Sequence, residues 1–314
     1  IVVFKEEKKE KNIKTMAEIL KVKPEPRLPE FSTMMFFSPG TEEGTKPKLY
    51  QELGVAAADL NEEEIEKLNR ADEVEAVVLN EERTIPPMPK RPYQPEGTAP
   101  AAAGQIDPRT LAYLQGKRDA YNEILNYLTG SPQQKETRIS HLYPFSYSYT
   151  HSWCLDMIGI PPDYSRATGK GIKVAVLDTG IDLNHPDLIP AIKKTSSFIE
   201  GETVQDSIAG HGTHCAGIIA GHLNSTGNIR YGAAPDAELL IGKVLSNQGR
   251  GYDDSILDGI DWAADEGAKI ISMSLGSSRL ANQPYPPHYE RIAKRLLEKG
   301  IIIIAASGND SLRP

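Results

Sequence analysis

Three polar residues of types that serve in proton transfer and oxyanion binding lie at the ends of predicted elements. Asp178 follows the apolar residues 172–177, and Asn309 comes shortly after the apolar residues 301–306. His211 stands between two glycines where a helix is predicted to begin. Because the carboxyl ends of parallel strands meet at one edge of a sheet, these side chains are expected to share one site. There a carboxylate can orient an imidazole base, and an amide can donate to a developing oxyanion.

Each of these residues also has a simpler interpretation when it is taken alone. Many α/β proteins place an Asp after a strand to bind a metal, a ribose or nothing, and a lone His at a helix start is usually structural. An Asn in a left-handed turn is common. The cluster of His211, His214 and Cys215 suggests a metal site, but no fourth ligand stands at zinc-finger spacing. The combination at one sheet edge is what favours catalysis.

The three residues belong to the last of three regions, residues 150–314, which predicts an α/β fold. Its strands are predicted at 172–177, 237–245, 269–275 and 301–306, and its helices from residue 211, at 253–266 and at 289–299. The strands are almost entirely apolar, which is typical of strands buried on both faces. Because they alternate with helices, they predict a parallel sheet.

The first region, residues 1–85, predicts a small α+β domain with an antiparallel sheet. Extended segments are predicted at 1–4, 53–60 and 74–79, and helices at 13–20 and after residue 61. Asn61 is a suitable helix cap, and three glutamates follow it in the first turn, where the helix dipole favours acids. The order strand, helix, strand, helix, strand indicates an α+β unit. Residues 31–38 fit no predicted element.

The middle region, residues 86–149, predicts a linker that contains one helix. Six prolines between residues 86 and 100 favour an extended chain. Asp107 followed by Pro108 is a typical helix start, and apolar residues at near-helical spacing continue to about residue 129. Such a helix must dock on another surface to be stable.

The composition excludes several classes of function. The 314 residues carry a net charge of −8, which does not favour a nucleic-acid partner. Cys154 and Cys215 are too few for a disulfide scaffold or a four-cysteine zinc site, although the two could pair with each other. No apolar run approaches the roughly 20 residues of a membrane helix, so no membrane segment is expected. No signal peptide is visible, which leaves the compartment open.

Four stretches of the last region together resemble subtilisin-like serine proteases. They are residues 174–182, 210–217, 274–276 and 305–309. The resemblance covers about residues 153–310 and implies a three-layer, parallel-sheet subtilisin-like domain that is incomplete in this chain. It also implies an endopeptidase that hydrolyses peptide bonds of protein or peptide substrates with an Asp-His-Ser triad, in that chain order.

The resemblance also implies a role for each polar residue. Asp178 would orient His211 and stabilise its charged form, His211 would act as general base and then general acid, and Asn309 would donate in the oxyanion hole. The expected substrate-binding residues are Ser274, Leu275 and Gly276 on one edge strand, Gly249, Arg250 and Gly251 on the opposite edge, and Ala306, Ser307 and Gly308 on the pocket wall. Asp310 is expected near the pocket rim, where it would favour a basic or polar substrate residue.

The first region resembles the propeptide-inhibitor domains of the same proteases. The likeness rests on residues 1–5, 60–68 and 71–77. It implies a ferredoxin-like domain that packs on the protease helices and lays its C-terminal strand into the active-site cleft. The chain would then be a zymogen whose own propeptide acts as an intramolecular inhibitor. The helix predicted near 107–129 departs from this pattern and leaves the maturation site open.

The expected nucleophile has no counterpart in the sequence. In the family a Gly-Thr-Ser-Met-Ala-like segment follows the Asn, and no Gly-Thr-Ser occurs here. We therefore expect the sequence to be part of a longer protease gene, and this chain alone to be inactive. Two other functions stay open: a non-catalytic peptide-binding protein with a decayed protease domain, and a peptide ligase or macrocyclase that uses the same acyl-enzyme.

The resemblance suggests a structural calcium ion, although no cofactor is expected for the chemistry itself. Asp187 matches a family position that helps bind calcium, and the loop at about 223–231 offers further oxygen ligands. The resemblance also implies a secreted or extracytoplasmic location.

Overall fold

The computed structural model describes most of the last region and much of the first. The described residues are 1–5, 14–15, 17–19, 23–25, 34–38, 47–50, 52–86, 152, 154–155, 158–160, 167–206, 210–223, 225, 229–278 and 284–309. The chain forms two compact units, Ile1–Met88 with Asp163–Pro314, and Pro89–Pro162. The helix predicted at 107–129 lies outside the described residues. Both cysteines are free, so the pairing considered from the sequence does not occur.

The first region forms an antiparallel sheet, as its sequence predicts, but the sheet has six strands where the sequence predicts three. Its strands are β1 (Val2–Phe4), β2 (Lys23–Glu25), β3 (Met34–Ser38), β4 (Lys48–Tyr50), β5 (Val55–Ala57) and β6 (Val74–Val77), in the order β2-β3-β4-β5-β1-β6. All neighbouring strands are antiparallel. Residues 14, 15 and 17–19 are helical within the helix predicted at 13–20. Residues 34–38, which fit no predicted element, form β3 because they pair with β2 and β4.

Helix α1 (Glu62–Arg70) begins as the sequence predicts. Asn61 Oδ1 accepts from the backbone N–H of Glu64 at 3.0 Å, and the Glu64 carboxylate accepts from the backbone N–H of Asn61 at 2.9 Å. This reciprocal pair satisfies two helix-end donors that would otherwise have no partner. Leu68, on the inner side of the helix, packs with Val2 and Phe4 of β1.

The last region forms a parallel sheet with helices on both faces, which confirms the predicted α/β fold. Its strands are β8 (Lys173–Asp178), β9 (Ile192–Ser197), β10 (Glu238–Lys243), β12 (Ile270–Met273) and β13 (Ile302–Ala305), in the order β13-β12-β8-β10-β9. The helices are α2 (His211–Ala220), α3 (Asp253–Asp265) and α4 (Pro287–Glu298). Strand β9 was not predicted, because it lies at the sheet edge and its lysines are exposed.

The central strand β8 shows how the three layers form. Ala175 and Leu177 lie in the same hydrophobic core as residues of α3 and α4. Val174 and Val176 lie in a second core with Ala216 and Ala220 of α2. Alternate side chains of a strand point to opposite faces of the sheet, so α2 covers one face and α3 and α4 cover the other.

The antiparallel sheet packs on helices α3 and α4. Val3 of β1 and Val55 of β5 share a core with Ile256 and Ile292 of those helices. A polar contact joins the same surfaces, since the buried Tyr50 hydroxyl donates to Asp258 Oδ1 at 2.7 Å. The first and last regions of the chain therefore share one hydrophobic core.

A short ribbon connects the first region with the edge of the last. Strand β7 (Glu82–Thr84) pairs antiparallel with β11 (Arg250–Tyr252). On its other side, Thr84 forms an antiparallel bridge with Gly276.

Among the described residues, no helix combines the length and apolar character needed to cross a membrane.

Candidate active site

The structure brings Asp178 and His211 into direct contact. Asp178 ends strand β8, and His211 begins helix α2. His211 Nδ1 lies 2.7 Å from Asp178 Oδ1, and the Asp178 side chain is only 1% exposed. The backbone N–H of Thr179 donates to the same oxygen at 2.8 Å. Because 26% of the His211 side chain is exposed, this pair has a buried orienting acid and an accessible imidazole.

A close backbone approach between Gly212 and Gly180 places the imidazole beside the carboxylate. A Cβ on Gly212 would collide with the backbone oxygen of Gly180, so only glycine lets helix α2 come this close to the end of β8. Gly180 has φ 106°, in the region that side chains disfavour. The backbone N–H of Gly212 also donates to the Thr179 hydroxyl at 3.0 Å. These contacts fix the start of α2 against the sheet.

Asp206, which is not among the residues predicted from the sequence, also holds the start of helix α2. Its carboxylate accepts from the backbone N–H groups of Gly210 at 3.0 Å and Thr213 at 3.2 Å. The Thr213 hydroxyl donates to it as well. A carboxylate at a helix N-terminus satisfies free backbone donors and complements the helix dipole. An acid a few residues before Gly210 was the available signal.

The carboxylate strongly favours the charged form of the imidazole. The hydrogen bond to Asp178 is the main cause that raises the pKa of His211 from 6.5 to about 10. Cys215 raises it further, with Sγ 4.0 Å from Nδ1, and partial burial opposes both effects. A general base becomes positively charged when it accepts a proton, and this site stabilises that charge. In this chain the same contact keeps the imidazole protonated below about pH 10, so His211 accepts a proton only from its neutral form.

The metal alternative considered for this helix takes a different form in the structure. Asp178, His211 and Cys215 have potential ligand atoms within 4.8 Å of one another, and His214 does not belong to this group. The predicted cluster of His211, His214 and Cys215 is therefore wrong in its membership. Because His211 Nδ1 already bonds to Asp178, the geometry suits an orienting pair better than two metal ligands.

Residues 82–86 of the chain lie between the two predicted substrate-binding edges. Thr84 exchanges two backbone hydrogen bonds with Gly276, at 2.9 and 3.0 Å, and the N–H of Ile85 donates to Gly249 O at 3.1 Å. Asn309 Nδ2 donates to the backbone carbonyl of Pro86 at 3.2 Å. The predicted oxyanion donor thus contacts a peptide carbonyl, at the end of a strand held on both edges.

Of the other predicted binding residues, those of one edge pair with this strand, and the rest differ in their burial. Leu275 is buried, and Ser274 is half-buried beside it. Ala306, Ser307 and Gly308 are exposed. In the β7–β11 pair, Gly251 lies opposite Arg83, Arg250 lies opposite Thr84, and Gly249 accepts from Ile85. Asp310 lies outside the described residues.

Asp187 is buried and has a protein partner. Its Oδ2 accepts from the Tyr231 hydroxyl at 2.8 Å, and burial followed by this bond raises the pKa of Tyr231. Among the described residues, Asp187 belongs to no group of three potential metal ligands. Asn224, Thr226 and Asn228 of the companion loop lie outside those residues. The calcium site stays a prediction.

The fold and this site are similar to those of one class of protein. A three-layer α/β domain with an Asp–His pair and an Asn amide near the carboxyl edge of its sheet resembles the architecture of subtilisin-like serine proteases. Residues 169–314 match the model of the Subtilase family. This part of the chain is subtilisin-like in fold.

Curated relatives agree with the family match. Subtilisin BL of Lederbergia lenta is 42% identical over 159 residues, which cover 50% of this chain and 55% of that protein. Thermitase of Thermoactinomyces vulgaris is 38% identical over 152 residues, covering 48% and 52%. M-protease of Shouchella clausii is 35% identical over 244 residues, covering 77% and 54%. The chain spans about half the length of these relatives. The M-protease match is longer than residues 169–314, so it extends into the preceding part of this chain.

Proposed function

We propose that the complete protein is a subtilisin-like serine endopeptidase. The observation that carries this proposal is the pair of contacts at the sheet edge. His211 is oriented by a buried carboxylate, and Asn309 donates to a backbone carbonyl on a strand bound like a substrate. An accessible base and an oxyanion donor beside one peptide group are the parts that acyl transfer requires.

The chain's own residues support a specific division of the chemistry. His211 would take the proton from an attacking serine hydroxyl and return it to the leaving amine, while Asp178 stabilises the imidazolium. Asn309 would donate to the oxygen of the tetrahedral intermediate, a contact worth ~2.7–4 kcal/mol in related sites. Among the described residues, no serine hydroxyl bonds to His211. We propose that the complete protein supplies the serine from a Gly-Thr-Ser segment that the printed sequence does not contain.

We further propose that the first region is an inhibitory propeptide. Three observations support this: its sheet shares a core with helices α3 and α4, residues 82–86 form backbone hydrogen bonds with both predicted substrate-binding edges, and the similarity to M-protease extends upstream of residue 169. A strand that adds to the edges of the binding cleft gains backbone hydrogen bonds as a substrate would. It therefore competes with substrate for the same edges.

The experiment compares the printed chain with the complete gene product on a fluorogenic peptide. We expect turnover by the complete protein after removal of the first region, and none by the printed chain. Asp178→Asn and His211→Ala should each abolish turnover in the complete protein. The assignment fails if the complete protein cleaves equally well with either substitution, or if the printed chain shows turnover that Asp178→Asn removes.

The calcium ion and the extracytoplasmic location are also proposals from the resemblance. Chelation should lower the melting temperature if Asp187 helps to hold a structural calcium ion. An unchanged melting temperature would count against that ion. Fractionation of the native host would test the location, and recovery of the protein only from the cytoplasm would contradict it.

A further inference from the structure

We propose that Asp253 forms a subsite that binds the arginine side chain of a substrate, three residues before the residue whose carbonyl meets Asn309. The proposal rests on the proposed function, because it takes residues 82–86 as a stand-in for a substrate strand. The subsite would add a preference for one side chain to a binding site whose other contacts with the strand are backbone hydrogen bonds.

Backbone hydrogen bonds fix which substrate residue reaches Asp253. Asn309 contacts the carbonyl of Pro86, and Thr84 pairs with Gly276. Arg83 pairs with Gly251 and is the third residue before Pro86. Because these contacts involve backbone groups on the substrate side, any peptide bound in this register places its corresponding side chain where Arg83 lies.

The Arg83 guanidinium meets the Asp253 carboxylate in a two-point contact. Nε lies 2.6 Å from Oδ1, and Nη2 lies 2.9 Å from Oδ2. Nη1 donates to the Ser277 hydroxyl. The guanidinium carbon lies 5.5 Å from the centroid of the Tyr289 ring, close enough for a cation–π contact. Three nitrogens and one face of the guanidinium are therefore recognised.

Glu81 of the first region also contacts the guanidinium, with Oε2 3.0 Å from Nη2. The other groups that receive the guanidinium belong to the protease-like region and stay there when another strand takes the place of residues 82–86. Asp253 begins helix α3 and is 0% exposed. The Tyr289 hydroxyl donates to its Oδ1 at 2.8 Å. The buried His288 places Nε2 3.4 Å from Oδ2, and neither of its ring nitrogens has a hydrogen-bond partner among the described residues. These side chains form a ready-made receptor.

The burial of Asp253 makes a cation necessary. Burial raises the pKa of Asp253, but His288 and Arg83 outweigh it and hold the pKa well below its usual range. A charged carboxylate in this place is costly if its cation is removed without a replacement. A substrate with a neutral side chain here would leave that charge unpaired, so the subsite selects for a positive charge.

The geometry also favours arginine over lysine. The planar guanidinium supplies two parallel donors to the carboxylate and a third to Ser277. A lysine ammonium is a point charge that cannot reproduce this pattern or stack on Tyr289 in the same way. Hydrogen bonds to charged groups of ~1.5–3 kcal/mol predict a preference of ~10- to 100-fold over a neutral residue of similar size.

The deciding experiment needs no proteolysis and uses the full printed chain. Arg83→Ala removes the atoms of an ethylguanidinium ion and leaves the receptor intact. We expect added ethylguanidinium to raise the melting temperature of Arg83→Ala saturably, and ethylammonium to do so much less. Wild type and the Arg83→Ala/Asp253→Asn double variant should not respond, whereas Arg83→Ala/Asp254→Asn, the matched charge control, should respond. If Arg83→Ala does not fold, ethylguanidinium should restore folding. No selective response, or an equal response of the Asp253→Asn variant, would overturn the proposal.

A second experiment tests the subsite on substrates of the complete protein. Paired peptides carry arginine or citrulline at the fourth position before the cleaved bond, and kcat/KM should be ~10- to 100-fold higher for arginine. Asp253→Asn should collapse that ratio while the citrulline peptide is still cleaved. A ratio that survives Asp253→Asn would overturn the subsite and leave the protease assignment standing. If neither peptide is cleaved, the proposed function fails, and the ethylguanidinium response alone decides whether Asp253 binds a guanidinium.

Discussion

The Asp178–His211 pair predicts a large and measurable shift in a single histidine titration. The pair raises the pKa of His211 from 6.5 to about 10. One pKa unit corresponds to ~1.4 kcal/mol, so the shift represents at most roughly 5 kcal/mol of preference for the charged form. Since the ring is partly exposed to solvent, we expect a contribution of a few kcal/mol to the free energy of unfolding.

The sign of the pH dependence follows from the direction of that shift. Folding raises the pKa of His211 above its unfolded value, so the folded state binds this proton more tightly. The contribution is fully present below about pH 6.5. It declines as the pH rises and is lost as the pH passes through about 10. The free energy of unfolding should therefore decrease between about pH 6.5 and 10, and the size of the decrease should depend on the Asp178–His211 contact.

The assay follows the His211 ring proton by NMR as a function of pH, alongside urea unfolding between pH 6 and 10. His211→Gln identifies the signal and serves as the control, because subtracting its pH dependence removes the effects of other groups. Asp178→Asn should return the midpoint of the His211 titration to near pH 6.5. It should also make the difference in unfolding free energy from the His211→Gln control nearly independent of pH above that value. A midpoint near 6.5 in the wild-type chain, or one that Asp178→Asn leaves unchanged, would refute the reasoning.

Three further substitutions test the geometry. Asn309→Ala should lower kcat of the complete protein by ~10²- to 10³-fold with little change in KM. An increase in KM with kcat unchanged would indicate a role in substrate binding instead. Gly212→Ala should push helix α2 away from Gly180 and so lower the pKa of His211, measured by NMR. An unchanged pKa would show that the contact between His211 and Asp178 does not depend on this close approach. Asn61→Ala should destabilise the chain by ~1 kcal/mol in urea unfolding through loss of the cap to Glu64. If the variant and the wild-type chain unfold with equal free energy, the cap does not stabilise the chain.

Hydrophobic pattern alone was sufficient to identify the fold class of the last region. Strands β8, β10 and β12 coincide with apolar runs because their side chains are mostly buried. Strand β13 also coincides with an apolar run, although it lies at the sheet edge and its side chains are largely exposed. Strand β9 was missed because an edge strand with exposed lysines lacks that pattern. Strand β3 was missed for a related reason: a strand depends on its neighbours, and its pairing with β2 and β4 does not appear as a local repeat.

The sequence by itself determined which residue types stand at the strand ends and helix starts, because those positions follow from local periodicity and from glycine. Tertiary structure alone decided which of them meet. Asp178 and His211 are 33 residues apart, and they touch because glycines let α2 approach β8. Arg83 and Asp253 are 170 residues apart, and no local signal connects them. A buried carboxylate is stable only when a cation is paired with it, and only the tertiary structure shows that Arg83 is that cation.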